Sequence, residues 1–173
     1  MHTLIRSAAL AAILAGTGSA DLVAQSDKRD ASANPACTLL MEQEIDAATG
    51  LDYGPGEALN AGEEGFGGTT CLWDTGPVPV GGKIQPQVGI VFMPRFYGSG
   101  KPRAGCTREP LRGVGDVAFT ESCKDGVQVY VKTGKNDFFV SVDILSDSHR
   151  TPAWAQPVAV ALAKAAAPRA RNK

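Results

Sequence analysis

Apolar and polar residues alternate through the second half of the chain, and this period of two is its clearest regularity. Gly126 to Lys132 sets Val127, Val129 and Val131 on one side and Gln128, Tyr130 and Lys132 on the other. Asn136 to Leu145 repeats the pattern with Phe138, Val140, Val142 and Ile144. Successive side chains of a strand point to opposite faces, so each run reads as a half-buried strand. Thr133-Gly134-Lys135-Asn136 between them predicts a hairpin turn. Three further runs carry the same signal: Thr69 to Asp74 with Cys71 and Trp73, Gln85 to Met93 with Val88, Ile90 and Phe92, and Asp116 to Thr120 with Val117 and Phe119. About five antiparallel strands follow.

Both ends of the folded part change to helical spacing. Cys37, Leu40, Met41, Ile45 and Ala48 share a face over Cys37 to Thr49, broken only by Glu44, with Thr38 as the expected cap and Gly50 as the stop. Near the C-terminus Trp154, Val158, Ala161, Leu162 and Ala165 share another face. Thr151 and Pro152 open that segment, but Pro157 interrupts a helix begun there, so the regular helix is expected from Pro157. Pro168 and the basic tail 169–173 are expected to end it. An antiparallel sheet with one solvated face needs a cover on the other, and two amphipathic helices supply it. The expected fold class is α+β: a sheet of about five strands covered by the N- and C-terminal helices. Between the first helix and the strands, Leu51 to Thr70 is glycine-rich with no periodic signal, and so reads as a long loop pinned by Phe66.

The first 34 residues fall outside this pattern. Met1 to Ser7 carries Arg6, Ala8 to Ala15 is a short apolar run, and Gly16 to Ala20 is small and weakly polar, which is the pattern of a secretory signal cut before Asp21. The apolar run is far shorter than the ~20 residues of a membrane-spanning helix. Residues 21–34 are polar and read as a disordered lead-in, leaving one domain over 35–168. Without the signal, 16 basic residues stand against 18 acidic ones, and no strong single-sign field remains to hold nucleic acid or an anionic membrane. The chain is therefore expected in the periplasm or secreted, with no nucleic-acid partner and no membrane anchor.

Twenty glycines and eleven prolines in 173 residues describe a loop-rich domain with a modest core, where covalent crosslinks matter. Cys37, Cys71, Cys106 and Cys123 are an even set in an exported chain, so they read as disulfides with three connectivities open. The pairing that joins neighbouring segments, Cys37 with Cys71 and Cys106 with Cys123, is preferred. Zinc held by all four thiolates is the competing reading, disfavoured by the lack of any Cys-x-x-Cys pair and by export.

Few motifs carry chemistry. Gly113-Val114-Gly115-Asp116-Val117-Ala118 matches G-x-G-x-x-A, but a nucleotide site needs a strand before and a helix after it. Here a strand follows, so the glycines are expected to form a tight turn feeding it, and no cofactor is expected. His149 is the one histidine beyond the signal, no G-x-S-x-G elbow is present, and the acidic pairs Glu63/Glu64 and Asp143/Asp147 have no spacing that demands acid–base work. The remaining feature is a basic loop. Arg95, Lys101, Arg103, Arg108 and Arg112 lie close together with Phe96 and Tyr97 beside them, offset only by Glu109. Guanidinium groups on an aromatic platform suit a carboxylate, a phosphate or an acidic protein surface, whereas the plain alternative is a solvated loop closed at Cys106.

Pro35-Ala36-Cys37-Thr38-Leu39-Leu40, Cys71-Leu72-Trp73, and Gly113-Val114-Gly115-Asp116-Val117-Ala118-Phe119 precede two closing strands and an alanine-rich helix. Together they resemble a diffuse group of small exported bacterial proteins and lipoproteins of unknown function. They are also similar to extracellular sensor domains of some receptor-type serine/threonine kinases. The resemblance implies a disulfide-bonded α+β fold with a ligand groove, and it brings no catalytic residues. The chain departs from that group in having neither a lipidation cysteine nor a transmembrane anchor. The function expected first is a non-enzymatic binding module for a small molecule, an envelope component or an exported protein. The alternatives are an inhibitor presenting Leu51–Thr70 or Pro94–Arg112 to an exported enzyme, and a hydrolase using His149.

Overall fold

In the computed structural model, which describes residues 33–59, 68–76, 85–93, 100–144 and 150–173, the alternating runs pair into one antiparallel sheet. Its strands are β1 (Glu57–Leu59), β2 (Thr69–Trp73), β3 (Gln87–Met93), β4 (Thr107–Leu111), β5 (Val117–Cys123), β6 (Gly126–Thr133) and β7 (Asn136–Asp143). Their order is β1-β2-β3-β7-β6-β5-β4. Two meanders, β1 to β3 and β4 to β7, meet where β3 pairs with β7, Ile90 lying opposite Val140. The β6–β7 hairpin closes through Gly134 and Lys135, with Thr133 opposite Asn136 and Gly134 at φ 63°, as the turn sequence predicts.

One face of the sheet carries Val88, Ile90, Val127, Val129, Val131, Phe138, Val140 and Val142, all fully buried. They pack with α1 (Glu42–Thr49) and α2 (Pro152–Arg171) in a single core. Removing each such aliphatic side chain from water is worth roughly 1.5–3 kcal/mol. The α2 side of the contact is mostly alanine, at positions 155, 159, 163, 166 and 170, which lets the helix lie close on a valine-rich sheet. Both disulfides form in the preferred pairing, Cys37–Cys71 and Cys106–Cys123.

Among the described residues the sheet has seven strands and not about five. The two extra strands are its edges, and neither has an alternating sequence. β1 lies inside the stretch expected to be a glycine-rich loop, and β4 lies inside the expected basic loop. β4 reads Thr-Arg-Glu-Pro-Leu; Pro110 has no N–H to donate, which is tolerable only on a strand whose outer side faces no neighbour. Pairing with β5, not periodicity, makes it a strand, with Arg108 opposite Glu121 and Pro110 opposite Phe119.

The helices also differ from expectation. α1 begins at Glu42, with Met41 and not Thr38 at the cap; the Met41 N–H donates to Glu44 Oε2 at 2.9 Å. Thr38 instead turns its hydroxyl back to Pro35 O, and Met41 is half-exposed. Gly50 ends the helix in the left-handed region at φ 69°, as expected. α2 starts at Pro152 on a Thr151 cap and continues through Pro157 and Pro168 to Arg171. Both internal prolines, and the residues four before them, Ala153 and Lys164, lie on the exposed side. The carbonyls that lose a helical partner are thus at the solvent side, where water replaces the missing N–H. The buried stripe is turned from the expected one: Ala155, Ala159 and Ala163 are buried, whereas Ala161 is exposed.

The second face of the sheet is not simply solvated. Val91, Met93 and Phe139 are buried there with Tyr130 packed against them, and Glu121 and Asp137 are buried polar residues. Among the described residues no helix is long and apolar enough to cross a membrane.

Candidate functional site

The strand register lays out the second face in rows. One row runs Val91, Phe139, Tyr130, Phe119 and Pro110 across β3, β7, β6, β5 and β4. The next runs Gly89, Ser141, Gln128, Glu121 and Arg108. In the first row Phe119 stacks on Tyr130 at 4.8 Å between ring centroids, and Tyr130 tilts against Phe139 at 5.2 Å. The Tyr130 hydroxyl donates to Gln128 Oε1 at 2.6 Å, and burial, helped by the Glu121 charge, raises its pKa.

At the β4–β5 edge the second row becomes an ion cluster. The Glu121 side chain is fully buried. Arg103 Nε donates to its Oε1 at 2.8 Å, and Arg108 Nη2 and Nε donate to Oε2 at 2.6 and 3.1 Å. Burial alone pushes the Glu121 carboxyl up, but the hydrogen bonds from Arg108 and Arg103 outweigh it and hold the pKa below its ordinary value. Arg108 also donates to Gly100 O, and its guanidinium lies over the Phe119 ring, 4.1 Å from the centroid. Arg103 Nη2 reaches Cys123 Sγ at 3.1 Å. The two sulfurs of Cys106 and Cys123 and the Glu121 carboxylate lie within 4.8 Å of one another. Both sulfurs are used in the disulfide and the carboxylate is held by two guanidinium groups, so this is no metal ligand set.

The basic residues singled out from the sequence are thus divided. Arg103 and Arg108 converge on Glu121, a residue one position beyond the strand expected from the sequence, which the structure extends to Cys123. Lys101 and Arg112 are exposed. Arg95, Phe96 and Tyr97 lie outside the described residues, as do His149 and the segment 1–20.

A second site lies at the turn end of the sheet. Between β4 and β5 the chain reverses through Gly113 and Gly115, at φ 77° and 59°, so the G-x-G sequence does form the turn it predicts. A Cβ at Gly115 would come within 2.5 Å of Lys132 O, which only glycine avoids. This turn and the last turns of α2 form the walls of a cleft of about 320 Å³. Lys164, Pro168 and Arg171 come from α2, and Thr133 closes the end of β6. Thr133 is 1% exposed, and its Oγ1 is buried with no hydrogen-bond partner. Arg171 pairs with Asp116, whose other oxygen accepts the Gly134 N–H at 2.6 Å; that bond first, and then Arg171, lowers the Asp116 pKa. Exposed Arg112, Lys132 and Lys135 add positive charge at the same end.

These elements are held together by specific contacts. Asn136 Nδ2 donates to Ala170 O at 2.7 Å, tying the hairpin to the end of α2. Arg169 makes a two-point contact with Glu44 at 2.7 and 2.8 Å and also donates to Leu39 O. α2 is thereby fixed to α1 at one end of the cleft wall. Sequence reading missed the cleft because Thr133, Lys164 and Arg171 come from separated places, and neither the hairpin turn nor the basic tail signals that they meet.

The chain matches no family model, no curated protein and no solved structure, so its geometry alone carries the functional reading.

Proposed function

We propose that this chain is an exported, non-enzymatic binding module that takes a small ligand with an oxyanion head in the cleft between the Gly113–Gly115 turn and α2. The observation that carries the reading is the Thr133 hydroxyl, buried beside cations and left without a partner. An unpaired buried hydroxyl costs about 1–3 kcal/mol, and a bound anion would satisfy it. Lys164 lies across the cleft, Arg171 borders it, and Arg112 adjoins the turn. The C-terminus of α2 opposes an anion with about half a negative charge, but Ala170 O is already occupied by Asn136 and the surrounding cations outnumber Asp116. Val114, Ala167 and Pro168 give the cleft an apolar part that suits the body of an organic acid or phosphate ester. Two disulfides agree with an oxidising, exported setting.

Calorimetric titration with inorganic phosphate and, separately, with citrate tests this reading. Thr133→Val keeps the shape and removes the orphan hydroxyl, so the variant should melt no lower than the parent while binding about 10-fold more weakly or worse. Lys164→Ala should weaken binding comparably. Unchanged affinity in both variants, or no binding of either probe by the parent, would discard the cleft. A response to only one probe would tell a phosphate head from a carboxylate.

A further inference from the structure

The two disulfides sit in different chemical surroundings. Cys71 is fully buried among core residues, a Cβ at Gly56 would lie 2.8 Å from its Sγ, and its partner Cys37 is partly buried against the same apolar core. Cys106 is only partly buried, and its neighbours Ala104, Gly105 and Thr107 are exposed, whereas its partner Cys123 is 7% exposed. Among the described residues a guanidinium donates to a sulfur only at Cys123, that of Arg103. Each bond thus joins a buried cysteine to a partly buried one, and what sets Cys106–Cys123 apart is the cation that faces its buried sulfur.

We propose that Cys106 is a thiol-exchange site, opened by low-molecular-weight thiols to give a mixed disulfide on Cys106. The incoming thiolate attacks Cys106 Sγ and forms the new S–S bond. The Cys106–Cys123 bond breaks, and its electron pair leaves on Cys123 Sγ as a thiolate facing Arg103. The incoming sulfur is oxidised to the disulfide level as Cys123 is reduced, so no other oxidant is needed, and attack by Cys123 on the mixed disulfide reverses the step. Exchange is faster when the leaving thiol has a lower pKa, and an adjacent guanidinium lowers it. The Glu121 carboxylate and the Asp125 charge near Arg103 work against this, but Glu121 is shared by two guanidinium groups and the Arg103 guanidinium still donates directly to Cys123 Sγ. Exposed Lys101 and the half-exposed Arg103 also favour the approach of an anionic thiol. The site is independent of the anion cleft.

The test treats the full folded chain with reduced glutathione, quenches with acid and an alkylating agent, and maps the peptides. The expected early product carries glutathione on Cys106 and the alkyl group on Cys123, with Cys37–Cys71 intact. Arg103→Ala should slow its formation roughly 3–10-fold, and Arg103→Lys should restore part of the rate. First opening at Cys37–Cys71, glutathione on Cys123, or an Arg103→Ala rate equal to or above that of the parent would overturn the proposal. If Arg103→Ala fails to fold, the position of glutathione in the parent protein decides.

Discussion

Cys37–Cys71 and Cys106–Cys123 are the same covalent bond built into two unlike regions. The first joins the segment before α1 to β2, spanning 34 positions, and its sulfur is part of the core beside Trp73. The backbone of Gly56 lies so close over it that a Cβ there would be 2.6 Å from the Trp73 ring. The second spans 17 positions at the outer edge of the sheet, and its neighbours are two arginines and a buried glutamate. One bond is held by apolar packing and the other by charge. The lesson is that a crosslink's chemistry follows from what surrounds its sulfurs: each bond joins a buried cysteine to a partly buried one, but the buried sulfur of the first meets apolar groups and that of the second a guanidinium.

The largest effect should come from removing the bonds outright. Cys37→Ala with Cys71→Ala should cost about 4 kcal/mol from the released loop alone, with lost packing added, and Cys106→Ala with Cys123→Ala about 3 kcal/mol. Chemical denaturation of the two double variants gives the order directly. A larger loss at Cys106–Cys123 would mean that the charged edge, and not the N-terminal limb, anchors the fold.

Next in size is the glutamate that organises the charged edge. Glu121→Ala removes the carboxylate that neutralises the mostly buried Arg108 and should cost roughly 3 kcal/mol. The sign of its pH dependence follows from its lowered pKa. The folded state favours the carboxylate, so the contribution is complete above the unfolded value of about 4.3 and is lost as pH falls through the lower folded value. The stability gap between the parent and Glu121→Gln should be constant above about pH 5 and narrow below about pH 4. A gap that widened in acid would contradict the ion cluster.

The smallest effect belongs to the contact that serves neither disulfide. Arg169→Ala removes a two-point pair with Glu44 that is about one-third exposed, so solvent screening limits the loss to about 1 kcal/mol. Thermal melting checks it, and a loss above that of Glu121→Ala would place the molecule's main electrostatic anchor between the helices.

How legible these regions were differs for physical reasons. The central strands announce themselves because burial on one face imposes alternation, as with Val127, Val129 and Val131. The edge strands do not: β1 and β4 bury little, so backbone pairing suffices and Glu57 or Pro110 is acceptable. Pro157 and Pro168 mislead for a related reason, since their cost depends on which side of the helix they occupy, and both occupy the exposed one. In the candidate sites, Arg103 and Arg108 stood out as basic residues, yet Glu121, which binds both, lies just past the strand expected over Asp116 to Thr120. Thr133 was legible only as part of the hairpin turn.

Local chemistry was enough for some of the architecture. Alternation set the inner strands, Gly134 and Gly113/Gly115 set their turns, and short sequence separation favoured the observed disulfides, because all of these are decided by neighbouring residues. The joining of two meanders at β3 and β7, the edge pairing of β4, the carboxylate shared by Arg103 and Arg108, and the cleft beside Thr133 are contacts between distant parts of the chain. Their energy comes from groups that meet only once the sheet and α2 have packed, and no local pattern encodes such a meeting.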